Sequence, residues 1–236
     1  MIPGPSAVIG HHLTQGVSES VTNVAFDVRT TSERGAVATR VYFEEGRHSV
    51  FAAAIDWPGW CRRAKTRDLA LEALLEYGDR YAAVLSMPFK PGRLEVVGSV
   101  TGNATTDFGA PAVDTPWDAE AITARDLRRQ VAVLEDCWTC FDAVVASAPP
   151  TLAKGPRGGG RDRDAVVDHV REAERHYCSA LGTRVPIRTP WTEQRATVTE
   201  QLLAGSPGAK WPPRYSLRRM AWHVLDHAWE IEDKSV

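Results

Sequence analysis

The chain has 236 residues, 43% of them hydrophobic, and its 28 Lys and Arg nearly balance its 30 Asp and Glu. A chain of this length can bury a substantial core, as one large domain or as two small ones. The formal net charge of -2 argues against nucleic acid as a partner, because it supplies no overall attraction to phosphates.

The N-terminal residues carry neither a basic leader nor an apolar segment typical of a signal peptide, and no later run is long enough to span a bilayer. We therefore expect a cytoplasmic protein without a membrane partner. The four cysteines are too sparse and irregular for a disulfide framework. Cys137 and Cys140 have C-x-x-C spacing inside a long helical pattern, which favours two buried helix cysteines over a redox or zinc site.

Residues 1–40 are rich in Ser, Thr, Val and Gly and show no sustained helical period, so they are predicted to form an irregular arm with one strand around 21–28. The pattern sharpens at Val41. Residues 41–45 and 49–56 are typical of two paired strands joined by a turn at Gly46.

The sequence Trp-Pro-Gly-Trp at 57–60 ends the second strand, and Thr66 is predicted to cap one amphipathic helix that continues to Leu85. A further strand is expected over 93–100. The turn-forming residues of 101–111 are expected to form a loop that links the two halves of the chain.

The stretch Phe-Ala-Ala-Ala-Ile-Asp-Trp-Pro-Gly-Trp, followed by the helix capped by Thr66, resembles the HicB antitoxin fold over residues 41–85. The resemblance implies a small antiparallel sheet-plus-helix module, which we assign to 41–110. Some HicB-like modules bind a toxin and others occur in unrelated contexts. No DNA-binding segment is recognisable here, so a structural or dimerising module is favoured over antitoxin activity.

The sequence predicts four helices in the second half of the chain. Thr115, with Pro116 and Asp118 behind it, is predicted to open a helix that continues to about Ala148. The second is expected over about 162–181, and the third begins at Thr189. The fourth follows Pro213, with Ser216 as its cap. Four helices in about 120 residues imply a helical bundle over 111–236 and an α+β fold class for the whole chain.

His223 and His227 lie four residues apart on the last predicted helix and therefore point the same way, close enough to share one metal ion. At 100° per residue, Met220, Val224 and Ile231 share this face, while Trp222, Leu225 and Trp229 occupy the opposite one. The helix should be covered on both sides. We expect the second face to contact either the N-terminal module or another subunit, and the latter would make a homodimer.

The second helix carries His169 and His176, and either could complete a set of three ligands. Three protein ligands with a position left for water or substrate are typical of a catalytic metal site. Glu230, one turn beyond His227, could accept an N–H from a ligating ring or bind the metal itself. Asp226 is the weaker candidate for that role. The alternative for both carboxylates is solvent exposure and pairing with Arg218 or Arg219.

The sequences Asp-His-Val-Arg-Glu-Ala-Glu at 168–174 and His-Val-Leu-Asp-His at 223–227 resemble the DinB superfamily of four-helix-bundle proteins over about 117–234. That superfamily includes bacillithiol- and mycothiol-dependent transferases and mycothiol-dependent maleylpyruvate isomerases. The resemblance implies His169, His223 and His227 as ligands of a divalent metal, with His176 as the alternative first ligand.

Three imidazoles suit several metals, of which we expect zinc or nickel first, with iron or copper as alternatives. The DinB-like resemblance implies that the metal activates a low-molecular-weight thiol. A composition rich in Ala, Arg and Gly is compatible with an actinobacterial source, where that thiol would be mycothiol. The leading hypothesis is thus a metal-dependent thiol S-transferase or hydrolase acting on a small electrophile. The alternative is a non-catalytic binding or regulatory protein that uses the HicB-like module to recognise a partner.

A Gly- and Arg-rich loop with Arg157 and Arg161 directly precedes the second helix. Free backbone N–H groups and cations at a helix start favour an anion, such as the carboxylate of a thiol cofactor or a phosphate. A flexible solvated linker is the alternative. The loop lacks the Gly-Lys-Ser/Thr ending of a P-loop, and the chain has no Gly-x-Ser-x-Gly elbow and no dinucleotide-binding Gly pattern after a strand.

Overall fold

The computed structural model of the protein describes residues 38–155 and 160–235, which belong to one compact unit of mixed α+β architecture. The predicted irregular arm and its strand around 21–28 lie outside the described residues, except that 38–40 belong to the first strand. The division into a sheet module and a helical bundle near residue 110 stays a prediction.

Four strands form one sheet: β1 (Ala38–Glu45), β2 (Val50–Ala54), β3 (Cys61–Ala64) and β4 (Arg93–Thr101), in the order β3-β2-β1-β4. The predicted hairpin is confirmed, with β1 antiparallel to β2. The prediction of an antiparallel sheet is wrong for β4, which runs parallel to β1. A parallel return needs a long crossover, and the residues between β3 and β4 supply it.

The helices are α1 (Arg67–Glu76), α2 (Gly78–Ala82), α3 (Ala104–Phe108), α4 (Ala124–Ser147), α5 (Arg163–Ala180), α6 (Trp191–Leu203) and α7 (Pro213–Lys234), with a 3₁₀ turn over Pro116–Ala119. The second and third predicted bundle helices correspond to α5 and α6. None of the helices described is long and apolar enough to cross a membrane.

The first predicted helix begins correctly but is too long. Thr66 caps α1, its side-chain oxygen accepting from the backbone N–H of Leu69 at 3.3 Å. The helix ends at Glu76, and α2 starts at Gly78, a residue that weakens a continuous helix. In this arrangement Tyr81 is fully buried and its hydroxyl donates to the carbonyl oxygen of Pro58 at 2.7 Å.

The region between β4 and α4 departs from prediction twice. The expected loop contains α3, because Asn103 accepts from the backbone N–H groups at the helix start. The helix predicted to open at Thr115 is only the 3₁₀ turn, and α4 starts separately after Thr123. Asp118 completes the capping box by accepting from Thr115, and it also forms a buried ion pair with Arg218 of α7.

The last helix starts earlier than predicted. Pro212 stands at the cap and Pro213 at the first helical position, where a missing N–H costs nothing. Ser216, the predicted cap, is instead a buried residue of the first turn whose N–H donates to the carbonyl oxygen of Pro212 at 3.0 Å.

Helix α7 lies between the sheet and the other long helices. One side packs on α4 and α5. On the other side Trp222 meets Phe51 of β2 edge to face, with ring centroids 6.1 Å apart, and Trp229 meets Tyr77 at 5.5 Å. The expectation that α7 is covered on both sides is therefore confirmed, and of the two alternatives for its second face the structure shows contact with the sheet module.

Candidate metal centre

Helices α5 and α7 bring three histidines together. His169 is exposed on α5, whereas His223 and His227 of α7 are only 7% and 8% exposed. Each ring offers one nitrogen, and the three nitrogens lie within 4.8 Å of one another. The i,i+4 spacing on α7 fixes two of the rings, and the packing of α5 against α7 adds the third.

The spacing of the nitrogens suits a metal ion. Nε2 of His169 lies 3.3 Å from Nε2 of His223. Two imidazole nitrogens bound tetrahedrally to zinc, each about 2.0–2.1 Å from the ion, would lie about 3.3 Å apart. The ring of His169 is exposed, so it can rotate to adjust its own distances to the two buried rings.

A carboxylate orients one of the rings. Nδ1 of His227 donates to Glu230 Oε2 at 2.8 Å, and Lys234 Nζ donates to Glu230 Oε1 at 2.6 Å. The hydrogen bond from His227, helped by Lys234, lowers the pKa of Glu230 to about 2 against the opposing effect of burial. Glu230 is therefore ionised, and Nε2 of His227 is the atom left to bind a metal.

Two of the rings are held in the form that binds metals. Burial, reinforced by the charges of His227 and Arg219, lowers the pKa of His223 well below its ordinary value of 6.5. Burial and Arg161 lower the pKa of His169. Both rings are neutral at pH 7, as a metal ligand must be.

Of the other predicted site residues, the structure describes His176 and Arg161. His176 is exposed, and its Nδ1 donates to the carbonyl oxygen of Glu172 at 2.9 Å, so the structure does not bring it to the cluster. Arg161 lines the cleft beside the histidines. Arg157 lies outside the described residues. The thiols of Cys137 and Cys140 are free, and burial raises the pKa of both.

The two candidate carboxylates of α7, Asp226 and Glu230, differ in their surroundings. Glu230 pairs with His227 and Lys234, not with an arginine as the solvated alternative required. Asp226 lines the cleft, and burial raises its pKa. Of the two, Glu230 has the contacts expected of a group that supports a ligating ring.

A cleft of about 820 Å³ opens in front of the histidines. Its walls come from α5, α7, β3 and the α3 region. Arg62, Phe108 and Arg219 are among the wall residues that were not assigned to the site from the sequence. Arg219 precedes His223 by four residues on the same helix, and this spacing could have indicated that it lies beside the histidines. Arg62 and Phe108 lie on β3 and α3, elements that the sequence pattern did not predict.

The arrangement can hold a divalent ion on three imidazoles, with a solvent-open cleft of ligand size beside it. Comparisons of the chain with models of known families, with curated proteins and with solved structures give no match.

Proposed function

We propose that the protein is a metal-dependent enzyme in which His169, His223 and His227 hold a divalent ion. The reaction would be the transfer of a low-molecular-weight thiol, of the mycothiol type, to a small electrophile, or the hydrolysis of such an electrophile. Zinc or nickel is the expected metal, with iron or copper as alternatives.

The single observation that carries the proposal is the convergence of three imidazole nitrogens within 4.8 Å. Chance pairs of histidines on one helix are common, but a third ring from a second helix at 3.3 Å is a stronger indication. The ionised Glu230 behind His227 adds the carboxylate–histidine contact common in metal sites.

The proposed chemistry follows from the charge of the divalent ion. A divalent ion on neutral imidazoles keeps its full positive charge and lowers the pKa of a thiol or water bound to it. The protein would hold the ligating rings in place, exclude bulk water from the side of His223 and His227, and leave the side of His169 open for substrate.

The fold is compatible with a DinB-like assignment of α4–α7, because the three histidines come from the second and fourth of these helices. The strand meander β1–β3 followed by α1 is compatible with a HicB-like module. Both assignments are part of this proposal.

A non-catalytic binding protein with a structural ion remains the second candidate function from the sequence. Structural zinc sites are closed by four protein ligands. Among the described residues, only three groups form the cluster, and one of them is exposed. The open cleft therefore favours the enzyme.

Metal content tests the site. We would measure it by plasma mass spectrometry in untagged protein and compare wild type with His169→Ala, His223→Ala and His227→Ala. His176→Ala is the matched control, because His176 lies on the same helix as His169 but outside the cluster. Near-stoichiometric metal in wild type and in the control, with loss in the three variants, is expected.

Wild-type protein that stays metal-free after incubation with zinc and nickel would contradict the site. So would equal loss of metal in His176→Ala. If metal binds as expected, the loaded protein is screened for thiol transfer and for hydrolysis, and absence of both would favour the binding-protein alternative.

A further inference from the structure

The cleft in front of the histidines carries cations that have no carboxylate partner in the part of the chain that the structure describes. No carboxylate oxygen there lies within 4.0 Å of the guanidinium nitrogens of Arg62, Arg161 or Arg219. Of the three acidic wall residues, Glu230 is already bound to Lys234 and His227, and Asp233 bonds to Arg80 at 2.8 Å. The third, Asp226, lies near enough to Arg62 for its pKa to be influenced by that charge, but it forms no ion pair with Arg219. The cleft therefore has cationic groups available for a ligand.

Arg219 is the best placed of these cations. It precedes His223 by one helical turn and so lies on the same side of α7. Its Nη1 donates to the carbonyl oxygen of Pro111 at 3.0 Å, and its guanidinium lies 5.0 Å from the ring centroid of Trp222. A guanidinium has five N–H donors, so this fixed group keeps donors free for an anion.

An exposed aromatic ring lies on the wall of the cleft. Phe108, at the end of α3, is 89% exposed, the largest exposure among the large hydrophobic side chains of the described residues. An exposed aromatic ring on the wall of a cleft is suited to contact an apolar ligand group.

Helix α3, which carries Phe108, is fixed to the strand β1 and to the turn after it. Glu44 Oε1 accepts from the hydroxyl of Thr106 at 2.6 Å, and Asp107 Oδ1 accepts from the backbone N–H of Arg47 at 2.6 Å. Because the backbone of α3 is already fixed, a ligand that packs against the ring has to order only the side chain.

We infer that the cleft binds a small organic acid, whose carboxylate pairs with Arg219 and whose apolar part lies against Phe108. This rests on the proposed function, because it places the acid beside the metal and so identifies the class of substrate. Pro111 and Trp222 hold Arg219 independently of any metal. Binding of the acid can therefore be measured in metal-free protein as well.

The test is calorimetric titration of the full chain, with and without zinc, using phenylacetate, its uncharged analogue phenylacetamide, and acetate. The variants are Arg219→Met and Phe108→Ala. Their matched controls are Arg188→Met and Ile187→Ala, which remove an exposed cation and an exposed apolar side chain that do not line the cleft. Metal content is measured on every sample.

Wild type is expected to bind phenylacetate at least about tenfold more tightly than phenylacetamide or acetate. Arg219→Met should abolish the preference over phenylacetamide, and Phe108→Ala should reduce the preference over acetate, with metal content and both controls unchanged. The Arg219 dependence should persist without zinc, at lower affinity.

Equal binding of phenylacetate and phenylacetamide to wild type would overturn the inference. A phenylacetate affinity unaffected by Arg219→Met would also overturn it, because the acid would then merely ligate the metal. If wild type contains no metal but still binds phenylacetate in a way that depends on Arg219, the metal centre is refuted and the acid site is supported.

Discussion

At the scale of single residues, Glu230 is the charged group that contacts the candidate metal ligand His227. It accepts from His227 on one oxygen and from Lys234 on the other, and its pKa is lowered to about 2. An ionised acceptor orients the imidazole and increases its basicity, whereas a neutral amide does so less well.

Replacing Glu230 by Gln is therefore expected to weaken metal binding by about 10–100-fold while leaving the fold intact. Competition with a chromophoric chelator measures the affinity, and circular dichroism checks the fold. Glu172→Gln, an exposed carboxylate on α5 beside His176, is the control and should bind metal like wild type. Unchanged affinity in Glu230→Gln would show that the contact does not support a ligand.

The ligand cluster could be predicted from sequence because the spacing of His223 and His227 on one helix fixes their relative position. The choice of His169 over His176 came only from a resemblance, since both residues lie on the same helix. Phe108 could not be assigned to the cleft from local pattern, because its position depends on the tertiary contacts of Glu44 and Asp107.

At the scale of elements, Asp56 joins the sheet to the helices. Its carboxylate accepts from Arg40 of β1 at 3.2 Å and from Arg214 of α7 at 2.8 Å, and its carbonyl oxygen accepts from Arg129 of α4 at 2.8 Å. Burial alone would raise the pKa of Asp56, but the two arginines outweigh it and the pKa lies below its ordinary value of 3.8.

A lowered folded-state pKa contributes stability above the unfolded value, and this contribution is lost as the pH falls through the folded value. Asp56→Asn should therefore lower the free energy of unfolding by about 1–2 kcal/mol at pH 7. The difference from wild type should shrink below pH 3.8. Urea denaturation at several pH values measures it, and a difference independent of pH would contradict this role of the ionised carboxylate.

Element boundaries were predictable where a local contact decides them and not where a distant one does. Thr66 caps α1 through its own neighbour Leu69. Thr115 has the same local signals, yet the helix stops after one turn, in which Asp118 is paired with Arg218, a hundred residues away. β3 has only four residues, two of them arginines, so no alternation of apolar and polar residues marks it.

At the scale of the whole molecule, α7 is shared by the sheet and the helices. The core on one of its sides includes α4 residues such as Leu134, and Trp222 on the other side packs with Tyr42 and Phe51 of the sheet. Removing the helices would expose the sheet face that Trp222 covers. The sheet therefore depends on α7 for part of its core.

We accordingly expect the described part of the chain to unfold in one cooperative transition. Near-ultraviolet circular dichroism reports on the aromatic contacts between α7 and the sheet, and far-ultraviolet dichroism reports mainly on the helices. The two denaturation curves should coincide. Separate midpoints would show that the sheet and the helical bundle are independent domains, as a boundary near residue 110 would allow.

The metal centre is tested most directly by X-ray absorption spectroscopy of the zinc-loaded full chain. Three histidine ligands predict three imidazole nitrogens at about 2.0–2.1 Å, with their characteristic outer-shell scattering, and a further light atom from solvent. His169→Ala should lose one imidazole contribution. Sulfur at about 2.3 Å, or a first shell of oxygen without imidazole, would contradict the three-histidine site.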